Sequence, residues 1–316
     1  MSEQAWSPIA VVGAGAVGSY FGGLLARTGA AVTLIGRAAH VDAIRRDGLL
    51  FESGGTSERI KIGASTDIAA VRGARLVLLC VKSFDTEEAA KLMKPHLAPD
   101  SVVLSLQNGV DNPERIRRHI ANPIIPVLIY IGVSSPAPGH VRHTGGSKLV
   151  TGAMNPADCA ALDGIAALFT RAGLPVTISS DIEAELWVKL VLNCAYNAVS
   201  ALSGSNYGRM VAMPEVRRVM QDTVDEIRAV ARAKGVRLPD NVVEINFALA
   251  DTMPQQRSST AQDIEKGRRT EIDHLNGYVT RQGEALGVAT PVNRTLSALM
   301  KALEQTRLAS RSDASS

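Results

Sequence analysis

The sequence predicts an α/β domain with a doubly wound parallel sheet, followed by an all-helical C-terminal domain. An apolar run, Ile9–Val12, passes directly into a glycine-rich turn and then a helix-like segment. Short apolar runs continue to alternate with helix-like segments up to residue 180, which is the pattern of a parallel sheet covered by helices. After Asp181 the strand-like runs stop and helical patterns replace them. We therefore assign residues 1–180 and 181–316 to two domains.

Composition limits the class of protein. The chain has 316 residues, 46% of them hydrophobic, and a formal net charge of +3 without a basic block. These values indicate a globular protein and give no sign of a nucleic-acid or membrane partner. No apolar run is long enough to span a membrane, and the N-terminus, MSEQAWSP, lacks the features of a signal peptide. We expect a cytoplasmic protein.

Cysteine and histidine positions predict no metal site. The three cysteines are scattered, and Cys80 and Cys194 lie in apolar runs typical of reduced core residues. His140 and His143 are three positions apart in a strand-like segment. That spacing places them on opposite faces of a strand, so we interpret them as solvated surface residues.

The glycine-rich turn after the first strand has the spacing G-x-G-x-x-G and precedes the helical segment Ser19–Arg27. In this pattern Gly13 permits the tight turn, Gly15 lets backbone N–H groups approach a pyrophosphate, and Gly18 lets the helix pack closely on the strand. The phosphates then lie at the positive end of the helix. The alternative is a purely structural turn. The predicted dinucleotide-binding residues are Gly13, Ala14, Gly15, Ala16, Val17 and Gly18.

The end of the second strand, Ala31–Ile35, indicates which dinucleotide is bound. An NAD site usually has an acidic residue here for the ribose 2′-OH, but this strand ends in Gly36 and Arg37. Because an arginine pairs well with a 2′-phosphate, we favour NADP(H) and an NADP-binding Rossmann domain. Arg37 as an exposed loop residue is the alternative, and His40 and Arg45 are candidate helpers.

Two further strand ends carry polar residues. Arg75–Val81 is a near-continuous apolar run, as in a strand buried on both faces, and Lys82 follows it. Ligands bind at the carboxyl ends of such strands, so Lys82 is a candidate for a cofactor phosphate or a substrate carboxylate, or else a solvated lysine. Val102–Leu106 leads to Asn108, which could bind beside the nicotinamide or mark only a turn.

The remaining elements of the first domain follow from apolar patterning. Predicted strands are Leu49–Phe51 and Glu58–Ile62 around a Gly-Gly turn, Ile124–Val133 and His140–Thr151 as an antiparallel pair, and Val176–Ser179. Predicted helices are Val41–Asp47, Asp85–Leu97, Pro113–His119 and Asp158–Ala172.

The second domain begins with a long, mostly apolar helix, Ile182–Leu202. Lys189, Asn193 and Asn197 share one face of it, since each step of four residues drifts by only ~40°. Burying a lysine costs several kcal/mol unless it has a partner or a function. Burial also lowers a lysine's pKa towards neutrality, which suits a proton donor. The alternative is a surface lysine beside two asparagines.

Further helices are predicted at Pro214–Lys234, Asp240–Asp251, Tyr278–Leu286 and Thr295–Glu304, and the polar tail from Thr306 is expected to be frayed.

Together these motifs resemble the ketopantoate reductase (2-dehydropantoate 2-reductase) family over nearly the whole chain. The paired helical motifs are more specific than the glycine turn. The matching residues are Gly13-x-Gly15-x-x-Gly18, Val81-Lys82, Gln107-Asn108-Gly109, Glu185-Leu-Trp-x-Lys189-Leu-x-x-Asn193-Cys, Ser258-Ser259-x-x-Gln-Asp-Ile and Thr270-Glu271-Ile-Asp273-x-x-Asn276-Gly277.

The resemblance implies roles for individual residues. It makes Lys189 the general acid, and Glu271 a catalytic residue that binds the substrate hydroxyl near the lysine. Implied substrate contacts are Asn108, Asn193, Asn197 and Ser259, and implied cofactor contacts are Arg37, Lys82, Asn108 and Glu271. The loop after the long helix differs in detail, and Asn206 is expected to replace a substrate contact. Gln256 stands where a family member can carry asparagine.

The implied reaction is NADPH-dependent reduction of ketopantoate to pantoate, in pantothenate and coenzyme A biosynthesis, by hydride transfer to the 2-oxo group. The second domain would then bind substrate and supply the acid. Two alternatives stay open: a reductase of a different 2-oxo acid, and a non-catalytic NADP(H)-sensing module. The helical second half is also compatible with a homodimer.

Overall fold

The computed structural model describes residues 6–313, with side chains to residue 308. The expectation about a signal peptide concerns the N-terminus, of which residues 1–5 lie outside the described part. The chain forms two compact units. The first comprises the chain up to residue 107 together with residues 111–182, and the second comprises residues 108–110 and the chain from residue 183 onwards.

The first unit is α/β, as predicted. Its strands are β1 (Ile9–Val12), β2 (Val32–Ile35), β3 (Leu49–Ser53), β4 (Thr56–Ile60), β5 (Gly63–Ser65), β6 (Leu76–Leu79), β7 (Val102–Ser105), β8 (Ile124–Ser134), β9 (His140–Thr151) and β10 (Val176–Ile178). Its helices are α1 (Ala16–Arg27), α2 (Ala38–Asp47), α3 (Thr86–Met93), α4 (Asn112–Arg117) and α5 (Cys159–Arg171). The three-residue strand β5 was not predicted.

The strands form one sheet in the order β4-β3-β9-β8-β7-β6-β1-β2-β5, with β10 beside β9. The pairs from β8 through β7, β6, β1 and β2 to β5 are all parallel. The predicted pair around the Gly-Gly turn, β3 with β4, and the predicted antiparallel pair, β8 with β9, are confirmed, and both are antiparallel. The chain runs outward from β1 to β2 on one side and to β6 on the other. This reversal of strand order puts the end of β1 where open α/β sheets bind ligands.

The second unit is helical, as predicted. Its helices are α6 (Ile182–Ser203), α7 (Tyr207–Ala212), α8 (Pro214–Lys234), α9 (Val242–Thr252), α10 (Ser259–Glu265), α11 (Asn276–Leu286) and α12 (Pro291–Asp313). The prediction of a frayed tail from Thr306 was wrong as far as residue 313, because α12 continues through it. The start of α12 is fixed by the Glu226 carboxylate, which accepts the N–H groups of Val292 and Asn293 at 2.7 and 2.9 Å.

The prediction that His140 and His143 are solvated surface residues was wrong. The sheet places β3 beside β9, so that each histidine meets a partner about 90 residues away. His140 Nε2 lies 2.9 Å from Glu52 Oε2, and His143 Nδ1 lies 3.1 Å from Ser53 Oγ. Within residues 6–313, no three His, Cys, Asp or Glu side chains are grouped so that they could hold a metal ion.

The three cysteines are free thiols within the described structure. Cys194 is buried, Cys80 is half-buried and Cys159 is exposed. Burial raises the pKa of the Cys80 and Cys194 thiols, which keeps both unreactive. None of the described helices is both long enough and apolar enough to cross a membrane.

Candidate active site

The glycine turn in the first unit has the geometry that its sequence predicts. Gly13 has a φ of +99°, and a Cβ there would lie 2.7 Å from the Cys80 carbonyl carbon. A Cβ on Gly18 would lie 2.2 Å from the Gly13 oxygen, so α1 can pack this closely only with glycine. A Cβ on Gly15 would meet nothing within 4 Å. The first and third glycines are therefore required by packing, and the second leaves open space in front of α1.

The N-terminus of α1 is suited to bind an anion. Gly15 is its N-cap, and no side chain caps the helix. The first intrahelical bond runs from Ser19 N–H to the Gly15 oxygen at 2.9 Å, so the amides before it point out of the helix end. Gly13 and Ala14 both donate to the Ile35 oxygen, at 3.0 and 2.9 Å, which fixes the turn to the end of β2. Open space, outward amides and the positive helix end fit the phosphates of a dinucleotide.

Arg37 lies next to this turn in the first unit. It is the second residue after β2 and the N-cap of α2, and its side chain is exposed. A Cβ on Gly36 would lie 2.8 Å from the Ala14 Cβ, so the end of β2 closely approaches the turn. The Arg37 side chain forms no hydrogen bond or ion pair with the described residues, which leaves its guanidinium available to a ligand.

The two candidate helpers of Arg37 already have partners. His40 Nε2 lies 3.0 Å from Ser19 Oγ, and its Nδ1 accepts the Gly139 N–H at 2.9 Å. Burial lowers the pKa of His40, and the nearby positive charge of Arg37 lowers it further. Arg45 Nε donates to the Ala64 oxygen at 3.0 Å. His40 therefore supports the glycine turn through its contact with Ser19 on α1, a role that the sequence did not indicate.

Lys82 lies in the loop after β6, where it is half-buried. A buried polar network holds this loop. Gln107 Nε2 donates to the Val81 oxygen at 3.0 Å and to Thr86 Oγ1 at 2.7 Å, and Thr86 Oγ1 donates to Asn112 Oδ1 at 2.8 Å. We did not predict this network. Its only signal was a set of polar residues beside apolar strand ends.

In the second unit, α6 presents Lys189, Asn193 and Asn197. Lys189 and Asn193 are half-buried, and Asn197 is 3% exposed. The Nδ2 atoms of both asparagines are buried and have no acceptor within the described part of the chain. Since buried donors are nearly always paired, these two amides, one turn apart, can donate to acceptor atoms of a ligand.

Glu271 gives Lys189 a charged partner. Glu271 is 5% exposed, and its Oε2 accepts a hydrogen bond from Asn108 Nδ2 at 3.2 Å. Burial lowers the pKa of Lys189 to about 8, and the negative charge of Glu271 opposes that decrease. Residues 108–110 belong to the second unit, so this unit alone brings Lys189, Glu271 and Asn108 together. The result is an ammonium group that is more acidic than an ordinary lysine, beside a buried carboxylate.

The side chain of Asn206 is engaged by its surroundings. It is the N-cap of α7, where its Oδ1 accepts the Arg209 N–H at 3.0 Å, and its Nδ2 donates to Gln255 Oε1 at 3.0 Å. A substrate contact by Asn206, which stays a prediction, requires that one of these bonds be given up. The Gln256 amide likewise donates to the Arg257 oxygen at 2.8 Å.

The two serines at the start of α10 differ in their surroundings. Ser258 is buried and caps α10, accepting the Ala261 N–H at 3.0 Å and donating to the Asn197 oxygen at 3.2 Å. Ser259, the predicted substrate contact, is exposed. Ser258 therefore fixes the start of α10 to α6 and leaves the neighbouring Ser259 hydroxyl open to a ligand. The sequence motif contains Ser258 but gives no indication of this positioning role.

Two family models match the chain. The one described as Ketopantoate reductase PanE/ApbA matches residues 9–156, and the one described as Ketopantoate reductase PanE/ApbA C terminal matches residues 181–304. The 2-dehydropantoate 2-reductase of Halobacterium salinarum is 34% identical over 296 residues, which cover 93% of this chain and 97% of that protein.

Solved structures agree with the family models. The crystal structure of a PanE/ApbA family ketopantoate reductase from Ralstonia eutropha JMP134 has a TM-score of 0.89 and 48% identity, covering 95% of this chain and 99% of that one. The ternary structure of D-mandelate dehydrogenase with NADH and anilino(oxo)acetate also has a TM-score of 0.89, at 26% identity, covering 95% and 98%. On these matches, which include both units, the chain belongs to the ketopantoate reductase family of oxidoreductases.

Proposed function

We propose that this protein is an NADPH-dependent reductase of ketopantoate (2-dehydropantoate), which it converts to pantoate for pantothenate and coenzyme A synthesis. The observation that carries the proposal is Lys189, an acid with a pKa of about 8 beside Glu271. Two unpaired amide donors lie on the same helix. Membership of the ketopantoate reductase family supports the choice of substrate.

The first unit would hold the coenzyme. The glycine turn and the α1 N-terminus offer amides to the pyrophosphate, and Lys82 is a further candidate for a phosphate. Arg37 supports NADPH over NADH, because β2 ends in a free guanidinium and not in a carboxylate. When bound, the coenzyme supplies a hydride to the carbonyl carbon of the oxo acid.

Lys189 completes the reduction. A hydride added to a ketone carbon leaves an alkoxide on the former carbonyl oxygen, and one proton turns it into the alcohol. The Lys189 ammonium stabilises that charge as it forms and donates the proton. With a pKa of about 8, most of the lysine is protonated at neutral pH, yet it gives up its proton far more readily than an ordinary lysine.

The other polar groups of the second unit would orient the substrate. Asn193 and Asn197 donate their unpaired Nδ2–H groups to oxygen atoms of the acid, and the exposed Ser259 hydroxyl offers a further contact. Glu271 accepts a hydrogen bond from the substrate's hydroxyl, and its negative charge favours the protonated form of Lys189. Asn108 donates a hydrogen bond that holds the Glu271 carboxylate in place. Such fixed donors bring the carbonyl into reacting geometry.

A reductase of a different 2-oxo acid is the second candidate. The likeness to D-mandelate dehydrogenase, solved with NADH and an oxo-acid analogue, favours it. Gln256 also stands where a family member can carry asparagine. A non-catalytic NADP(H)-sensing module is the third candidate, although binding alone does not require an acidic lysine on the same helix as two unpaired amides.

That the protein forms a homodimer stays a prediction, which analytical ultracentrifugation would test.

Steady-state oxidation of NADPH and NADH with a panel of 2-oxo acids tests the proposal. The panel contains ketopantoate, 2-oxoisovalerate, which lacks the distal hydroxymethyl group, and phenylglyoxylate. We expect the highest kcat/KM with ketopantoate and NADPH. Faster turnover of phenylglyoxylate would assign the second candidate. Tight NADPH binding without turnover of any oxo acid would assign the sensing module.

A further inference from the structure

The backbone that carries Glu271 has little regular structure of its own. Glu271 lies between the end of α10 at Glu265 and the start of α11 at Asn276, and only the short 3₁₀ turn Ile272–His274 intervenes. A helix fixes its side chains through a continuous hydrogen-bond ladder, but this segment cannot. The position of the carboxylate must therefore be set by contacts from elsewhere in the second unit.

Helix α12 supplies such contacts on both sides of Glu271. One oxygen of Glu304, Oε2, accepts both the Thr270 N–H at 2.8 Å and the Thr270 hydroxyl at 2.6 Å. On the other side, Lys301 Nζ lies 2.5 Å from Asp273 Oδ1. Lys301 and Glu304 are three residues apart, so they share one face of α12. Thr270 is only 3% exposed, which shields its bonds to the carboxylate from water.

Helix α12 is in turn joined to the helix that carries Lys189. Asn293 lies in the first turn of α12, and its Oδ1 accepts a hydrogen bond from Asn276 Nδ2 at 3.0 Å. The same Nδ2 atom donates to the Cys194 oxygen of α6 at 3.2 Å. Asn276 and Asn293 are both fully buried. A continuous set of hydrogen bonds therefore connects α6 with α12, which contacts the residues flanking Glu271.

We propose that Glu304, assisted by Lys301, is a positioning residue that holds Glu271 at its working distance from Lys189. The proposal deepens the function above and rests on the roles given there to Lys189 and Glu271. Neither α12 residue is assigned a contact with substrate or coenzyme. Each acts through the backbone next to Glu271.

The consequence of losing this support follows from electrostatics. Two carboxylates bear on the charge of Lys189. Glu271 faces it from the 270–273 segment, and Glu185 lies one turn before Lys189 on α6. Coulomb energy falls with distance, so a Glu271 carboxylate that moves away stabilises the ammonium less. The pKa of Lys189 then falls further below its present value. Misplacing a catalytic group by about 1 Å can also cost on the order of 100-fold in rate.

The test compares Glu304→Ala and Glu304→Gln with Glu284→Gln, which removes an exposed glutamate on the neighbouring helix α11. The pKa of Lys189 is obtained by acetylating the intact protein with acetic anhydride over a pH series and quantifying the Lys189 peptide by mass spectrometry. We expect Glu304→Ala to lower this pKa, as Glu271→Gln does, and to reduce kcat/KM for the oxo acid ~10- to 100-fold. The Glu284→Gln control stays at the wild-type level in both measurements.

Two results would overturn the proposal. One is a Glu304→Ala protein whose Lys189 pKa is unchanged although Glu271→Gln lowers it. The other is a Lys189 pKa that responds to neither variant. If Glu304→Ala does not fold, Thr270→Val removes the hydroxyl bond to Glu304 and Lys301→Met removes the ion pair with Asp273, and each is judged in the same way. Labelling needs no substrate, so a wild-type protein that reduces no oxo acid refutes the proposed function and leaves the positioning result standing.

Discussion

Replacing Lys189 by Met should make the protein more stable and inactive. Burial lowers the pKa of Lys189 from 10.5 to about 8, and a difference of this size corresponds to about 3 kcal/mol. Part of the side chain remains exposed, and solvent screening reduces that value. We therefore expect a gain of roughly 1–2 kcal/mol in the free energy of unfolding at pH 7, together with the loss of the proton donor.

The gain has a definite dependence on pH. Below pH 8 the lysine is charged in both the folded and the unfolded state, so the wild-type protein bears the full cost of burying it. Between pH 8 and 10.5 the unfolded state holds more protons at this residue, and wild-type stability rises relative to the variant. The advantage of Lys189→Met should therefore shrink across this range and vanish above it.

Urea unfolding followed by Trp187 fluorescence measures the effect. Trp187 is 1% exposed and lies on α6, and a Trp6→Phe background leaves it as the sole tryptophan. Lys189→Met also removes the positive charge beside the Glu271 carboxylate. The double variant Lys189→Met/Glu271→Gln removes both charges, so it should show the gain in the free energy of unfolding without an unpaired carboxylate. A Lys189→Met/Glu271→Gln protein that is less stable than Glu271→Gln at pH 7 would refute the reasoning. A gain that is unchanged at pH 10.5 would refute it as well.

Three further predictions follow from particular contacts. Arg37→Ala should weaken NADPH binding by about 10- to 100-fold in titrations and leave NADH binding unchanged, because it removes a charge-assisted contact to the 2′-phosphate; an equal loss for both coenzymes would contradict this. Gly18→Ala would put a Cβ 2.2 Å from the Gly13 oxygen, and it should lower the unfolding free energy by about 2 kcal/mol or more and abolish coenzyme binding; a normally stable variant that binds NADPH would contradict it. Asn276→Ala leaves the Cys194 oxygen and Asn293 Oδ1 without their shared donor, so denaturant unfolding should show a loss of about 2 kcal/mol or more; a stability within 0.5 kcal/mol of wild type, about the effect of a surface substitution, would mean that the connection between α6 and α12 is unimportant.

Features that depend on local spacing could be predicted from the sequence. The order of strands and helices follows from apolar periodicity, because a buried parallel strand and an amphipathic helix have different repeats. The glycine turn depends on three residues within six positions, and its packing was confirmed. The spacing of four among Lys189, Asn193 and Asn197 depends only on helix geometry. The lowered pKa of Lys189 followed from the apolar character of its helix.

Features that depend on distant segments could not be predicted in this way. Glu271 has no periodic signal of its own and was found only through the family resemblance. Glu304 contacts Thr270 across 34 positions, and no pattern in either segment indicates the pair. The histidine partners on β3 were missed for the same reason, since sheet order is not a local property. The capping role of Asn206 was not predicted either, because a residue type suited to ligand binding is equally suited to capping a helix.

Stopped-flow oxidation of NADPH by ketopantoate, in wild type and Lys189→Ala, measures what Lys189 contributes to the reduction. We expect rapid oxidation by the wild-type protein. Lys189→Ala should be slower by about two to four orders of magnitude, the range expected for a lost general acid, while its Kd for NADPH is unchanged. A Lys189→Ala protein that oxidises NADPH with ketopantoate at a near-normal rate would contradict the assignment of Lys189 as the acid.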